Sequence, residues 1–261
     1  MKKFTCIIPF YEGGSTIRRA LDSVLWHERC GQVIVVSDGS PEPLRPHLNS
    51  KQLMLEEEGR IRVLELRNNL GQGGARNLGA SISTTPYICF LDQDDEYLSD
   101  FFSVCLDYLD KNVEIAAVQT NAEFSGPGGT ILNNADPRYR MVIDSVPWNL
   151  MMRRVSFWMC GGFPVDTAFR SEAAGEDIAF KSALRFTHRI LEVDVIGVRH
   201  HIRCGSATDR FLKRTEAEHG MIRFKAVLPN EADGSLELAM QEHFKRVLSD
   251  KDSAWKNFIP K

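Results

Sequence analysis

Short apolar runs alternate with helical periodicities through the first 110 residues. Phe4–Pro9 is an apolar run closed by a turn. Ile17, Ala20, Leu21, Val24 and Leu25 then recur at helical spacing, with Ser15 placed to cap them. Gln32–Ser37 carries Val-Ile-Val-Val, a run suited to burial on both faces of a parallel sheet, and stops at the turn cluster Asp38-Gly39-Ser40-Pro41. Ile61–Leu66 alternates apolar and charged positions, and Arg67–Gly74 reads as a Gly-rich loop opening a helix over Ala75–Ser83. Tyr87–Leu91 is the next strand and Phe101–Asp110 an amphipathic helix capped by Ser99 or Asp100. Four strand–helix alternations predict an α/β fold with a doubly wound, mostly parallel sheet whose ligands lie outside the carboxyl ends of the strands.

Beyond Ala116–Asn121, a further strand, the texture changes. Gly126-Pro127-Gly128-Gly129 has the composition of a hairpin tip, and residues 133–150, with Pro137 and Pro147, read as irregular. Glu176–Phe186 has the pattern of a short helix and Ile190–Val198 that of a strand. From Thr208 the chain differs again: Leu236, Ala239, Met240, Phe244, Val247 and Leu248 mark one helical stripe, suited to packing on the main body or to a homodimer contact. The segments divide at 1–115, 116–207 and 208–261.

Composition narrows the function classes. With 261 residues and 43% hydrophobic content the chain can bury a large core. A net charge of −3 argues against a nucleic-acid-coating protein, because phosphate neutralisation needs a dominant Lys/Arg field. The six cysteines form no Cys-x-x-Cys pair and several lie in apolar runs, so they read as reduced thiols of a cytoplasmic protein. No stretch approaches the roughly 18 apolar residues of a spanning helix. A peripheral contact with the inner face of the membrane stays open.

The sharpest chemical feature is Asp92-Gln93-Asp94-Asp95, delivered by the Ile-Cys-Phe-Leu strand. Alone, such a cluster also fits a solvated turn or helix cap. At a ligand-facing sheet edge, three carboxylates this close raise one another's pKa or call for a cation, and Mn2+ or Mg2+ takes one or two carboxylates together with phosphate oxygens and water.

Six motifs, in order over roughly residues 4–180, carry a resemblance. They are Ile7-Ile8-Pro9-Phe10-Tyr11; Val35-Val36-Ser37-Asp38-Gly39-Ser40; Asn69-x-Gly71 with Gly74-Ala75-Arg76-Asn77-x-Gly79; Phe90-Leu91-Asp92-Gln93-Asp94-Asp95; Gly161-Gly162-Phe163; and Gly175-Glu176-Asp177. Together they resemble the family 2 glycosyltransferases. The resemblance implies a GT-A fold with nucleotide-binding and acceptor-binding halves plus the C-terminal helical tail, a nucleotide-sugar donor, a glycan or lipid-linked sugar acceptor, and inversion at the anomeric carbon.

Carried over position by position, the resemblance makes Asp38 the partner of the nucleobase imide, with Pro9, Tyr11 and Glu12 around base and ribose. Glu12 departs from the Asn many members place there. Arg76 falls near the nucleotide, Asp94 is the direct ligand of Mn2+ or Mg2+, Asp92 sits by ribose or metal, and Asp95 orients the site. Asp177 matches the general base, although an acidic first helical turn is also ordinary capping. Of the pair His200-His201, His201 is preferred as the group facing the diphosphate. Trp148, Phe157 and Trp158 read as core rather than as sugar-stacking rings. Two competing readings are a sugar nucleotidyltransferase, against which the Pro9–Ser15 loop lacks the expected Gly-rich basic pattern, and a non-catalytic nucleotide- or glycan-binding module of the same fold.

Overall fold

The computed structural model of the chain describes residues 3–126, 129–130, 132–170, 175–218, 220–225 and 234–258. Strands β1 (Phe4–Phe10), β2 (Cys30–Ser37), β3 (Ile61–Glu65) and β4 (Tyr87–Phe90) are separated by helices α1 (Ile17–Leu25), α2 (Ser50–Glu57) and α3 (Gly71–Ile82). Next come β5 (Glu96–Tyr97), α4 (Ser99–Lys111), β6 (Ala117–Gly126), β7 (Gly129–Thr130), α5 (Pro137–Ser145), β8 (Leu150–Arg153) and α6 (Arg154–Met159). The chain continues through α7 (Glu176–Thr187), β9 (Ile190–His201), α8 (Ala207–Arg214), β10 (Thr215–Glu218), β11 (Met221–Phe224) and α9 (Ser235–Phe258).

One sheet runs in the order β3-β2-β1-β4-β8-β6-β9-β5, with β7 paired to the end of β6. The first four strands are parallel to one another, β8 enters antiparallel between β4 and β6, and β9 runs parallel to β6. This is the doubly wound, mostly parallel arrangement expected. β6 and β7 make the expected hairpin, Ser125 opposite Thr130 and Gly126 opposite Gly129, while Pro127 and Gly128 at its tip lie outside the described residues.

Strand periodicity sorts side chains into two cores. Phe4, Cys6, Ile8 and Phe10 of β1 join Val33 and Val35 of β2 on one face; Ile7, Ile34 and Val36 face the other. Every β1 residue is therefore buried, each full-sized apolar side chain contributing about 1.5–3 kcal/mol. On the second face α3 lies very close: a Cβ on Gly79 would fall 2.4 Å from Cγ2 of Ile7. The apolar stripe of α9 is also absorbed there, Val247 and Phe244 joining that core while Ala239, Leu236 and Met240 pack with Phe169 and Ala179. Among the described residues no helix is long and apolar enough to cross a membrane.

Several boundaries differ from the sequence reading. α3 starts at Gly71 rather than Ala75, because Asp38 Oδ1 and Asn69 Oδ1 accept the Leu70 and Gly71 N–H groups at 2.6 and 2.9 Å and secure the helix entrance from outside it. The irregular stretch contains α5, whose Asp136 cap accepts the Arg138 N–H ahead of Pro137 at the first helical position. α1 follows Thr16 rather than Ser15, and Ser99 is the first residue of α4 rather than its cap. β9 runs three residues past Val198, bringing both histidines into the sheet.

Candidate functional site

At the carboxyl ends of β1, β2 and β4 the polypeptide opens into a cleft of about 440 Å³. Pro9 and Tyr11 come from the end of β1, Asp38 from the end of β2, and Asp92 and Asp94 from the end of β4. Asp177 reaches the same cleft from the first turn of α7, and His200, Arg203 and Arg210 close it from β9 and the start of α8. The two acidic centres, far apart in sequence, thus share one concave site.

What joins them is Arg76, fully buried on α3. Its Nη1 donates to Asp177 Oδ1 at 2.6 Å, and its Nη2 to Asp92 Oδ1 at 2.7 Å and to Gln72 Oε1 at 3.1 Å. Phe163, from the Gly-Gly-Phe motif, lies under the guanidinium at 5.2 Å, and the Asn77 side chain fixes Phe163 by bonding both its N–H and its carbonyl. Gly162 is needed there: its φ is +65° and a Cβ would meet Asn77 Oδ1 at 2.8 Å. Burial pulls the Arg76 pKa down, but Asp177 and Asp92 more than offset it, so the residue is a permanent cation. Burial, reinforced by Glu176 and Asp92 against the pull of Arg76, pushes the Asp177 carboxyl up to about 8. A carboxyl so placed holds or releases a proton near neutral pH, as a general base requires.

The acidic motif is built differently at each position. Asp95 is fully buried; its Oδ2 pairs with His200 Nδ1 at 2.8 Å and its Oδ1 accepts the His201 N–H at 2.9 Å. His200 stacks on Trp148, with centroids 5.0 Å apart and planes at 12°, and bonds Thr208 Oγ1 at 3.0 Å through Nε2. Burial lowers the His200 pKa, but Asp95 carries it above the usual value. Asp94 is paired with Arg203, and burial together with Asp95 and Asp92 raises its pKa to about 6. Gln93 ties the motif to β1, exchanging hydrogen bonds with the Tyr11 N–H and carbonyl at 2.8 and 2.9 Å.

Among the described residues no three His, Cys, Asp or Glu groups converge as a complete metal cage. Asp94 places one carboxylate in the cleft, paired with Arg203; a Mg2+- or Mn2+-type ion takes one or two such carboxylates and is completed by phosphate and water.

Of the residues singled out in the sequence, Pro9, Tyr11, Asp38, Asp92, Asp94 and Asp177 line the cleft. Four do not. Glu12 sits in the following turn at φ +50°, its N–H donating to Ser40 Oγ. Arg76 is not among the lining residues; it is fully buried, its Nη groups bonded to Asp177, Asp92 and Gln72. Asp95 holds histidine and backbone instead of lining the cleft. His201 points away from it, to Ser125 and Glu96, because neighbouring strand residues face opposite sides; His200 is the one that lines the cleft. Gln72, Gln93 and Arg210 were not singled out; Arg203 stands in the sequence among the cationic side chains around the paired histidines. The Arg203 signal was its place just beyond the paired histidines; Gln93 had only its seat between two motif aspartates.

Comparison with known proteins follows this geometry. The family described as Glycosyl transferase family 2 matches residues 5–166. A teichoic acid poly(glycerol phosphate) polymerase of Staphylococcus epidermidis is 35% identical over 104 residues, 38% of this chain and 14% of that protein. The succinoglycan biosynthesis protein ExoO of Rhizobium meliloti is 32% identical over 96 residues, 37% of this chain and 26% of its own. The chain therefore spans only about a seventh to a quarter of these relatives. Among solved structures, Staphylococcus aureus TarS 1-349 in complex with UDP-GlcNAc superposes with a TM-score of 0.66 at 17% identity, covering 98% of this chain and 73% of that one. TarS 1-349 alone gives 0.61 at 18%, covering 76% and 60%. The structural likeness establishes the fold as GT-A. Because the matched segment carries the β1, β2 and β4 ends that build the cleft, fold and sequence agree, and the chain belongs to glycosyl transferase family 2.

Proposed function

We propose that the protein is an inverting glycosyltransferase that moves a sugar from a UDP-sugar to a hydroxyl of a glycan or lipid-linked acceptor, in cell-surface polysaccharide synthesis. The observation that carries this reading is the single buried guanidinium of Arg76, which holds Asp92 and Asp177 in one cleft with Asp38 and Asp94. Asp38 keeps one carboxylate oxygen beyond its bond to the Leu70 N–H and accepts the uracil imide N–H with it. Tyr11 and Pro9 flank base and ribose. Asp94 would hold Mn2+ or Mg2+, which when bound supplies neutralisation of diphosphate charge. Arg203 and Arg210 add cationic donors from the opposite wall.

Asp177 accepts the proton of the acceptor hydroxyl as that oxygen forms its bond to the anomeric carbon. The anomeric carbon–oxygen bond to the diphosphate breaks on the opposite face, and its electron pair leaves with UDP. The TarS complexes with UDP and UDP-GlcNAc favour a uridine donor by analogy of fold.

Thermal shift and transfer assays test the proposal. UDP with Mn2+ should raise the melting temperature by roughly 5–10 °C at a hundredfold excess over its Kd. Asp177→Asn should keep that shift and lose at least about 100-fold in transfer rate. Indifference to every nucleoside diphosphate, or full transfer by Asp177→Asn, would overturn it.

A further inference from the structure

The cleft has a second arm. Beyond Asp177, a cavity of about 240 Å³ opens between α5, α7, α8 and β11. It shares Val146, Asp177, Thr208 and Arg210 with the nucleotide cleft, so the Asp177 carboxylate stands at the junction. Its walls are of a different kind. Met141 and Val142 from α5, Ile178 from α7, Phe211 from α8 and Phe224 from β11 line it. Met141, Ile178 and Phe224 are 43%, 47% and 49% exposed, three large apolar side chains gathered in one place. Scattered apolar side chains are normal on a protein surface, whereas a contiguous group beside a polar site marks a binding surface. Arg210 and Arg214 supply positive charge, and Asp177 is the one acidic side chain among the described lining residues.

We infer that this arm receives the acceptor, and that the acceptor is an amphiphile: a hydroxyl-bearing molecule whose apolar segment lies on Met141, Ile178 and Phe224 and whose phosphate meets Arg210 and Arg214. The inference rests on the proposed role of Asp177 and names the acceptor class for it. A purely polar glycan would leave the apolar wall wet, whereas an amphiphile covers it and brings a phosphate to planar guanidinium donors that suit it. At about 240 Å³ the arm is smaller than the roughly 300 Å³ at which pockets begin to enclose whole drug-sized ligands. It therefore takes the segment next to the reacting hydroxyl and leaves the remainder of the carrier outside. A lipid-linked phosphate has this combination of chain, anion and hydroxyl-bearing head.

Three probes separate chain from charge in calorimetric titrations of the full chain, run with UDP and Mn2+ and below micelle-forming concentrations. Decyl phosphate carries both features, glycerol 3-phosphate the anion alone, and decyl maltoside the chain alone. Decyl phosphate should bind at least tenfold more tightly than either. Met141→Glu and Ile178→Glu, at exposed positions, should each weaken it at least tenfold with UDP affinity unchanged. Arg214→Gln, which lies outside the nucleotide cleft, should erase the preference for phosphate over maltoside. Equal affinity for the three probes, no binding of decyl phosphate by a protein that binds UDP, or binding that survives both glutamates would overturn the inference while leaving the donor reading intact. Failure of the wild-type protein to bind UDP would instead overturn the reading on which the inference stands.

Discussion

Asp177 shows how surroundings move the ionisation of a carboxyl. Its ordinary ionisation lies near pH 4, and burial beside Glu176 and Asp92 lifts it to about 8 although Arg76 donates to it. In the proposed role Asp177 works in its ionised form, so the sign is fixed: activity should be lost as pH falls through the raised folded-state value and be full above it. The kcat/KM profile should accordingly show an acid limb with an apparent pKa far above the usual carboxylate range. Removing the guanidinium by Arg76→Met should move that limb to still higher pH, beyond any loss of amplitude; a limb left below pH 5 in the wild type would contradict the assignment. The same residue accounts for a sequence reading that went astray. Arg76 opens like a phosphate ligand near a Gly-rich helix start, yet its two Nη groups bond Gln72 and two carboxylates that no local pattern could have paired with it, 16 and 101 positions away.

Elements carry the site by rigid attachment, and α7 illustrates this. One turn beyond Asp177, Lys181 is fully buried, and its Nζ donates to the Ile143 and Val146 carbonyls and to Asn149 Oδ1 at 2.6, 2.8 and 2.9 Å. Burial pushes its pKa down, but three acceptors match the three donors of an ammonium, and that geometry belongs to the charged form. The lysine thus clamps the end of α5 and the turn bearing Trp148, the ring that supports His200, onto the helix carrying Asp177. Lys181→Met would strand three buried acceptors, a loss of about 3 kcal/mol or more. A melting temperature lowered by roughly 6–12 °C should follow, and an unchanged melt would refute the clamp.

Element order was legible in the sequence wherever apolar periodicity was strong, as in β1, β2 and α1, because burial on one or two faces leaves a direct trace. It failed at Gly71–Gly74, where Asp38 from another loop and Asn69 just ahead of the helix hold the Leu70 and Gly71 N–H groups. It also failed at α5, where the Asp136-Pro137 start signal stands in an otherwise polar stretch. The cleft aspartates were legible through motif order. The choice between His200 and His201 was not, since it turns on strand register, and β9 extends beyond its apolar run.

At the scale of the whole molecule, α9 belongs to the catalytic body. Leu236 approaches Gly175 at the entrance of α7: a Cβ there would lie 3.2 Å from Leu236 Cδ1. Ala239 and Met240 pack with Phe169 and Ala179, the latter on the helix that bears Asp177. Removing residues 234–261 should therefore lower the melting temperature and depress kcat while UDP affinity, set by the β1, β2 and β4 ends, stays within about threefold of the full chain. A truncated protein with unaltered kcat would show that the tail is a passive appendage.

Arg76 also bears on how the site is assembled. Its carboxylate partners arrive on β4 and on α7, from either side of the antiparallel insertion of β8, and it sits where water cannot reach it. An unpartnered charge in that position is strongly destabilising, by about 3–5 kcal/mol when a buried pair loses one member. A chain in which only the nucleotide half had docked would have to keep this position hydrated and open. Closing the cleft and neutralising this buried charge are therefore one event: Asp92 and Asp177 reach their places only when both of their elements are docked on Arg76.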